Sequence, residues 1–506
     1  MISTSDSHAA LQRRLNGITA FVIQRSRGFC GYSDSDVASR LIQKLAELST
    51  FAYPSMAAEQ YRQTGLLPSD LEVINCNGVL IDGISEVRLT PKKFLFLLSY
   101  FFLHWGYTLL AIIASLRFKN SNKKMSLFYG LALQDIVVDG DDEYFLNYCR
   151  NCQIQPLASS QFLVIQSPVK INSRRLDHVS YSKDPLNRAL KLSGMRLQLW
   201  VHTLGCHVLS MASFLFAVYK FPVLALLWRD VSSHTVAAVL NKNGHLDDVI
   251  FTNSAYSSQP LWFWALPKRV FYSHILWYSQ NSYPISYLDE VSAHSIVNFQ
   301  YMRADIQWVW TKGFKNFLEQ ICPRSSYRVV GPIIWKLPSK KKLMMDANLK
   351  IIVFDITPTN EEFEKKFGLL RNYYSEKIMS KFIEDIIEVT SNISKIKGEI
   401  IEVVLKHKRD FIDIHSSEYI KNISDLSDTR VLKLVSNNSN IYELINTGAL
   451  IIAAPYSSPV YIALDIGIPA FWYDPTGTLH WKLGVQEAPL IQGREQLLTK
   501  LTEIFL

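Results

Sequence analysis

Residues 449–474 read ALIIAAPYSSPVYIALDIGIPAFWYD, and this stretch decides the fold class. Two uniformly apolar runs, Ala449–Ala453 and Ala470–Tyr473, flank a polar turn and a short apolar segment of helical length. Strands that are apolar on both faces are typical of a parallel sheet that is covered by helices on both sides. The stretch therefore predicts one β-α-β unit of a doubly wound α/β domain.

Similar runs recur along the chain and extend this prediction to two sheets. In the last third, the predicted strands are Leu349–Phe354, Ile400–Leu405 and Arg430–Leu434, and the predicted helices are 360–395, Asn440–Thr447 and Arg494–Phe505. In the middle third, the predicted strands are Ile154–Pro156, Phe162–Ile165, Val223–Leu227, Asp248–Thr252, Val270–Tyr278 and Trp308–Thr311. We expect two Rossmann-like domains, residues 125–335 and 345–506, after an N-terminal helical and apolar region over residues 1–124.

Composition narrows the class of protein. A chain of 506 residues is too long for one core, and 48% apolar with 19% charged residues indicates a folded protein. The net charge of +8 comes without a long Lys/Arg block, so nucleic acid is not an expected partner. Six scattered cysteines give no disulfide framework, and Cys149 and Cys152 lack the second ligand pair of a zinc site. The N-terminus lacks the apolar run of a signal peptide, which predicts a cytoplasmic protein.

Two long apolar stretches allow more than one interpretation. Residues 94–116 are long enough to cross a bilayer, but lysines or arginines flank both ends. Basic flanks on both sides favour a helix that lies in the membrane interface, while a core helix and a spanning helix remain alternatives. Residues 197–228 are predicted to form a buried core helix that breaks at Pro222. The expectation is peripheral association with the inner face of the cytoplasmic membrane.

Polar residues follow the predicted strands of the last third. Ligands of open parallel sheets bind outside the carboxyl ends of the strands, so these residues should meet at one edge. Two serines before Pro459 suit an anion site at a helix start, and a basic turn follows a neighbouring strand. A simple helix cap and a solvated basic turn are the alternatives. The residues predicted to bind the phosphate and nucleotide of a ligand are Asp355, Lys406, Arg409, Ser457, Ser458, Tyr473 and Asp474.

Motifs of other nucleotide-binding classes are absent. The sequence has no GxxxxGK[ST] and no GxGxxG after a strand, which argues against a P-loop NTPase and against NAD or FAD as a cofactor. The acidic triplet Asp139-Gly140-Asp141 is interpreted as a surface turn, and no metal ion is expected. Basic residues and helix termini can neutralise a leaving phosphate without one.

The middle third contains the candidate acceptor and catalytic residues. Amide and hydroxyl groups lie beside aromatic residues there, as in carbohydrate-binding surfaces, although an aromatic core with loops is an alternative. The predicted acceptor-binding residues are Asn253, Tyr256, Ser279 and Asn281. Asp230, directly after the predicted strand Val223–Leu227, and His234 are the candidate catalytic bases, with His245 and Asp247 as alternatives.

Residues 454–477, APYSSPVYIALDIGIPAFWYDPTG, resemble the motif of bacterial polysaccharide-biosynthesis proteins that is named for Pro-Phe-Thr-Ser. Tyr456 and Ser457 stand where that motif has Phe and Thr, which keeps an aromatic ring and a hydroxyl. The resemblance extends to VFDITP at 353–358, LKHKR at 405–409, TNSAYSSQPLWFWALPKRVF at 252–271 and WYSQNSYP at 277–284.

This resemblance implies a GT-B type glycosyltransferase that acts without a metal ion in surface polysaccharide synthesis, of lipopolysaccharide O-chain or capsule. The implied partners are a nucleotide-sugar donor and a lipid-linked or polysaccharide acceptor. A looser similarity to transferases of CMP-activated acidic sugars, such as sialyl- and Kdo-transferases, makes a CMP-linked donor one option. A polyol-phosphate transferase and a non-enzymatic membrane assembly or export factor are the alternative functions.

Overall fold

The computed structural model describes residues 91–116, 124–130, 162–167, 179–253, 259–280, 302–322, 324–332, 349–358, 360, 373–407, 415–428, 431–436, 439–481 and 486–506, with 32–33, 36–37, 39–41, 44 and the backbone of 71–74 and 86–89. Its contacts divide the chain into two units. The first contains Met1–Trp277, Ser295–Trp308 and Leu318–Arg328, and the second contains Tyr278–His294, Val309–Phe317 and Val329–Leu506. The domain boundaries at residues 124 and 335–345 stay a prediction.

The first large sheet has seven strands, and a separate antiparallel pair, β1 and β2, precedes it. Within the described residues, the strands up to this point are β1 Leu71–Ile74, β2 Glu86–Leu89, β3 Met125–Tyr129, β4 Leu163–Gln166, β5 Val179–Ser182, β6 Leu246–Thr252, β7 Tyr272–Leu276, β8 Ile306–Val309 and β9 Ser326–Val329. The order of the large sheet is β5-β4-β3-β6-β7-β8-β9, and the pairings from β5 to β8 are parallel. All side chains of β3 are buried, as expected for a central parallel strand.

Six helices with described bounds belong to the same part of the chain as this sheet. They are α1 Pro91–Ala114, α2 Pro185–Ser193, α3 Leu197–Lys220, α4 Trp228–Lys242, α5 Leu261–Ala265 and α6 Lys312–Ile321. Helix α3 was predicted to be a buried core helix, and this prediction is wrong. Only a narrow stripe of its side chains is buried, and Leu209 and Tyr219 are among the large apolar residues that it exposes.

A second correction concerns Val223–Leu227, which was predicted to be a strand. Helix α3 ends at Lys220, and Pro222–Leu227 forms a 3₁₀ helix that leads directly into α4. The break at Pro222 is confirmed. Leu224 to Leu227 are buried in the apolar cluster beneath α1, so the apolar run reflects burial in a helical connection. A short apolar run alone does not distinguish these two structures.

The second large sheet has six strands, all paired in parallel. They are β10 Leu349–Phe354, β11 Ile401–Lys406, β12 Leu432–Val435, β13 Leu450–Ala453, β14 Ala470–Asp474 and β15 Leu490–Gln492. The associated helices are α7 Glu376–Lys397, α8 Ser417–Asp428, α9 Ile441–Thr447, α10 Pro459–Asp465 and α11 Gly493–Phe505. The five predicted strands of this region are confirmed, and β15 is an additional one.

Strand order identifies the ligand-binding edge of each sheet. The second sheet has the order β12-β11-β10-β13-β14-β15, which is 3-2-1-4-5-6 when counted from β10. The first sheet has the same order when counted from β3, with one more strand after the sixth. Such an order reverses direction between its first and fourth strands, and ligands bind at the carboxyl ends next to that point. The predicted α/β class with two Rossmann-like sheets is confirmed.

Candidate functional site

The loop Ala454–Ser458 follows β13, at the point where the order of the second sheet reverses. Tyr456 in this loop has a φ of +62°, a left-handed conformation that is unfavourable for a residue with a side chain. Its buried ring packs edge-on against Trp472 and Trp481, with centroid distances of 5.4 and 5.3 Å. These aromatic contacts hold the loop in a conformation that the backbone alone would disfavour.

Hydrogen bonds fix the remaining atoms of the loop. The Tyr374 hydroxyl donates to the Pro455 carbonyl at 2.8 Å, and the Trp472 indole donates to the Ser457 carbonyl at 3.0 Å. The Ser457 hydroxyl donates to the Ala454 carbonyl at 2.7 Å and is buried. Ser457, which was predicted to contact the phosphate, therefore shapes the loop from inside.

Ser458 is placed differently. It is half-buried, and its Oγ accepts a hydrogen bond from the backbone N–H of Gln280 at 3.0 Å. It makes no side-chain cap at the start of α10, so the alternative role as a helix cap is not observed. Because the oxygen accepts from Gln280, the hydroxyl hydrogen points elsewhere and can donate to a ligand.

Gln280 links the loop Ala454–Ser458 to Thr311 within the second unit. Its side chain is fully buried, and Nε2 donates to the Thr311 hydroxyl at 2.8 Å. Its Oε1 atom is buried without a hydrogen-bond partner among the residues that the structure describes. An unpaired buried acceptor costs about 1–3 kcal/mol, so a water molecule or a ligand is expected to donate to it.

Asp355 lies at the carboxyl end of β10, next to the reversal point. Its Oδ2 atom accepts from the Tyr419 hydroxyl and contacts Nδ1 of His407, both at 2.7 Å. Burial and the neighbouring carboxylate raise the pKa of Tyr419, which therefore stays protonated and donates. Two residues further on, the buried hydroxyl of Thr357 has no hydrogen-bond partner in the described part of the chain.

The predicted basic turn is described only in part. Lys406 is buried, and its Nζ donates to the carbonyl of His407 at 3.3 Å. Arg409 lies outside the described residues, so its contact with a phosphate stays a prediction.

Asp474 is fully buried at the end of β14 and accepts four hydrogen bonds. They come from the Tyr373 hydroxyl at 2.6 Å, Thr476 Oγ1 at 2.6 Å, Thr476 N at 2.9 Å and Leu479 N at 2.9 Å. Burial, with the charge of Asp474 beside it, raises the pKa of Tyr373 and keeps its hydroxyl a donor. The Asp474 side chain thus organises the turn after β14.

Tyr473 precedes Asp474 and points to the other face of the sheet. Its hydroxyl donates to Asp385 on α7 at 2.7 Å. Adjacent strand residues alternate between the two faces, so Tyr473 packs under the helix layer, away from the ligand edge.

The first sheet carries the candidate acceptor residues. Asn253 is buried directly after β6, next to the reversal point of this sheet, and its backbone N–H donates to the Leu276 carbonyl at 3.0 Å. Ser279 is half-buried after β7. Tyr256 and Asn281 lie outside the described residues.

Asp230, predicted to be a catalytic base after a strand, lies in the first turn of α4 and is 1% exposed. Its Oδ1 atom contacts Nε of Arg40 at 3.2 Å and accepts from the Leu261 N–H at 2.6 Å. The prediction depended on a strand that does not exist, and the carboxylate instead joins α4 to the N-terminal segment and to α5.

His234 lies one helical turn after Asp230 in α4, and its side chain also contacts the N-terminal segment. Its Nδ1 atom is 2.6 Å from the Tyr32 hydroxyl, and burial lowers the pKa of the imidazole to about 4. A histidine with this pKa is neutral at pH 7 and is a weak base. The two alternative bases, His245 and Asp247, lie at the amino end of β6, opposite the ligand edge.

The lowered pKa of His234 predicts a specific acid sensitivity. The unfolded chain gains a proton near pH ~6.5 that the folded chain gains only near pH 4, so the free energy of unfolding should fall as pH decreases through this window. His234→Gln should weaken this dependence in urea denaturation at several pH values. His202→Gln, at an exposed histidine of α3, should keep it. Equal pH dependence in wild type and His234→Gln would contradict the assignment.

Metal ligands do not converge in the parts of the chain that the structure describes, where no group of three His, Cys, Asp or Glu side chains could hold an ion. Asp139, Asp141, Cys149 and Cys152 lie outside those parts. The sequence alone did not identify Gln280, Thr311, Tyr374 or Trp472 as site residues. The only available signal was the position of Gln280 inside WYSQNSYP.

The protein is thus an α/β protein with two doubly wound sheets. The loop Ala454–Ser458 lies at the ligand-binding edge of the second sheet. The model of the family described as polysaccharide biosynthesis PFTS motif protein matches residues 213–501, more than half of the chain. The chain therefore belongs to this family. No curated protein is significantly similar to it in sequence.

Similar solved structures include TarM, with 11% identity, a TM-score of 0.32 and coverage of 54% of this chain. This chain spans about half, 51%, of the TarM chain. A glycosyltransferase from Rickettsia africae has 13% identity and a TM-score of 0.38, over 76% of this chain and 89% of that one. A UDP-GlcNAc 2-epimerase from Methanocaldococcus jannaschii has 12% identity and a TM-score of 0.38, over 76% and 92%. Likenesses at this level carry no argument about activity.

Proposed function

We propose that the protein is a GT-B type glycosyltransferase that uses a nucleotide-activated sugar in the synthesis of bacterial surface polysaccharide, of the lipopolysaccharide O-chain or capsule kind. The observation that carries the proposal is the position of the loop Ala454–Ser458. This loop carries the residues that resemble the Pro-Phe-Thr-Ser motif, and it lies where the strand order of the second sheet reverses. Family membership supports the link to polysaccharide synthesis.

The groups at this point suit a nucleotide-linked donor. The Ser458 hydroxyl is half-buried and can donate to a phosphate oxygen. The Gln280 Oε1 and the Thr357 hydroxyl are buried without a partner among the described residues, so ordered water is their expected partner. Lys406 and Arg409 supply positive charge for the leaving phosphate in this proposal, which requires no metal ion.

The acceptor is proposed to bind at the first sheet, beside Asn253. Asn253 lies at the reversal point of that sheet, where a second ligand would be expected by the same rule. Asp230 and His234 are not proposed as catalytic bases because both side chains are engaged with the N-terminal segment. The sugar and the nucleotide, including CMP, are left to experiment.

Ser458→Ala should weaken nucleotide binding by about tenfold, since it removes one hydrogen bond to a charged phosphate and the partner of the Gln280 N–H. Calorimetric titration with CMP, UDP, GDP and their sugar conjugates measures this effect. Ser424→Ala, at an exposed serine of α8, is the matched control and should bind like wild type. Equal affinity of the Ser458→Ala and wild-type proteins would remove this residue from the site.

The same ligand panel tests the function as a whole. Stabilisation by a nucleotide-sugar, followed by transfer of its labelled sugar to a membrane or polysaccharide fraction, is the expected result. Transfer from CDP-glycerol without transfer from any nucleotide-sugar would identify a polyol-phosphate transferase instead. Absence of binding by every nucleotide and conjugate would contradict an enzymatic role and favour an assembly or export factor.

A further inference from the structure

Helices α1 and α3 form a closely packed pair in the first unit. Their contacts, in order along α1, are Phe101 with Phe214 at a centroid distance of 4.2 Å, Trp105 stacked on His207 at 4.7 Å, and the Ile112 carbonyl with the Trp200 indole at 2.7 Å. Positions rise along α1 while they fall along α3, so the two helices are antiparallel. Each has 24 residues and is about 36 Å long at ~1.5 Å per residue.

The outer face of this pair is uncharged and mostly apolar, and its exposed polar side chains are Ser99, Gln198, His202 and Ser213. Residues 94–116 and 197–219 contain no Asp, Glu, Lys or Arg. Leu103 is 72% exposed and Leu209 is 67% exposed. The other large apolar residues that the two helices expose are Leu95, Phe96, Tyr100, Phe102, Tyr107, Leu110, Ile113, Leu197, Val201, Val208, Phe216 and Tyr219. Both helices are long and apolar enough to cross a membrane.

Three hydroxyl groups of the pair donate hydrogen bonds within their own helices. Ser99 donates to the Leu95 carbonyl at 2.9 Å, Thr203 to the Leu199 carbonyl at 2.7 Å, and Ser210 to the His207 carbonyl at 2.7 Å. Such bonds leave the helices with less need for water, which is the condition for contact with hydrocarbon.

Basic side chains stand at both ends of the pair. Because the helices are antiparallel, Lys92 at the start of α1 lies at the same end as Lys220 at the close of α3, and both are exposed. The exposed Arg196 precedes α3 at the opposite end. Basic groups at the rim of an apolar surface complement the anionic headgroups of a bacterial membrane.

The inner face of α1 excludes a membrane-spanning arrangement. Residues of this face contact other helices of the first unit at successive turns: Nδ1 of the half-buried His104 is 2.7 Å from the Ser232 hydroxyl of α4, and the buried Thr108 hydroxyl accepts from Asn187 of α2 at 3.3 Å. Helix α1 is thus attached to α2 and α4 by side-chain contacts, and it could cross a bilayer only if these helices entered the bilayer with it.

We propose that the α1/α3 pair lies flat in the interface of an anionic bilayer, with its outer apolar face in the hydrocarbon and its basic ends at the headgroups. The pair then attaches the first unit to the membrane surface in a fixed orientation. Interfacial helices bury an apolar face to a depth of about 5–10 Å while charged residues stay in the headgroup layer. This inference goes beyond the proposed function and does not depend on it.

A second copy of the chain is the competing occupant of this face. Protein interfaces combine apolar area with about one hydrogen bond per 100–200 Å² and a polar rim. Ser99, Thr203 and Ser210 of this pair instead donate to backbone carbonyls of their own helices, and residues 94–116 and 197–219 contain no Asp or Glu to complement the basic ends. A lipid surface fits these features better.

Flotation with vesicles of phosphatidylethanolamine and phosphatidylglycerol tests the proposal. The wild-type protein should float with these vesicles and float less with vesicles of phosphatidylcholine alone. Leu103→Glu with Leu209→Glu should reduce the bound fraction by about tenfold or more, because carboxylates are costly in the hydrocarbon. Ile396→Glu with Ile400→Glu, at residues that are 70% and 86% exposed in the second unit, is the matched control and should float like wild type.

A labelling experiment distinguishes the flat arrangement from a span and does not rely on the glutamate variants folding. Lys92→Cys and Arg196→Cys mark the two ends of the pair. With protein bound from outside, a membrane-impermeant maleimide should label both variants above the wild-type level. Labelling of only one end would identify a span and overturn the proposal.

Two further outcomes would also overturn it. One is wild-type flotation that the two leucine substitutions leave unchanged. The other is a wild-type dimer in lipid-free buffer that Leu103→Glu with Leu209→Glu converts to a monomer, together with no flotation of the wild type. That result would assign the apolar face to a second copy.

Discussion

Asp230→Ala should lower the free energy of unfolding by about 3–5 kcal/mol, because it leaves the guanidinium of Arg40 buried without its carboxylate. Both side chains are almost fully buried, at 2% and 1% exposure, and Nε of Arg40 is 3.2 Å from Oδ1 of Asp230. The same carboxylate accepts from the Leu261 N–H, which would lose its acceptor. Urea denaturation measures the loss.

Three further variants separate this structural role from catalysis. Asp230→Leu combined with Arg40→Met removes both charges and should recover much of the stability that Asp230→Ala loses. Asp247→Ala, at a partly exposed carboxylate paired with Lys124, should change stability by less than about 1 kcal/mol. If Asp230 were instead a general base, the Asp230→Asn variant would fold with wild-type stability and lose turnover. That result would contradict the anchoring role.

Asp474→Ala should lower the free energy of unfolding by about 3 kcal/mol or more. It removes the shared acceptor of the Tyr373 hydroxyl and of the Thr476 and Leu479 N–H groups, and each unpaired buried donor costs about 1–3 kcal/mol. Asp474→Asn should lower the free energy of unfolding by less, because the amide oxygen can still accept hydrogen bonds. Some loss remains, because the amide NH₂ group then faces a donor.

Chemical denaturation measures both Asp474 variants against Asp425→Ala, at an exposed carboxylate of α8. The Asp425 variant should remain within about 0.5 kcal/mol of wild type. Since the Asp474 carboxylate is occupied by Tyr373, Thr476 and Leu479, nucleotide affinity measured well below the melting temperature should change less than in Ser458→Ala. A selective loss of affinity with full stability would assign Asp474 to the ligand.

The sequence was most informative where structure follows from uniform burial. Ile351–Phe354 and Ala470–Tyr473 are apolar on both faces, and both lie in strands of the second sheet that have a neighbour on each side. Val223–Leu227 has the same composition but forms a 3₁₀ helix, because burial beneath α1 requires apolar residues in any conformation. The strand Leu490–Gln492 is short and half-buried, so no pattern predicted it.

The candidate site was predictable in location but not in detail. The loop after β13 follows from strand order, but the sequence cannot tell which of two adjacent serines turns inward. Ser457 bonds to Ala454 while Ser458 bonds to Gln280, a residue that lies far away in the sequence. Such non-local pairs have no signal in composition or spacing. The face of Tyr473 could have been inferred from strand alternation, given a reliable strand boundary.

The second unit is assembled from three separated stretches of chain, Tyr278–His294, Val309–Phe317 and Val329–Leu506. During synthesis, Gln280 leaves the ribosome long before Ser458, the residue that its backbone N–H contacts in the finished fold. Domains generally fold as their segments become available, from the N-terminus onward. The first sheet can therefore form early, while Gln280 meets its partner in the loop Ala454–Ser458 only after the chain has grown by a further 178 residues.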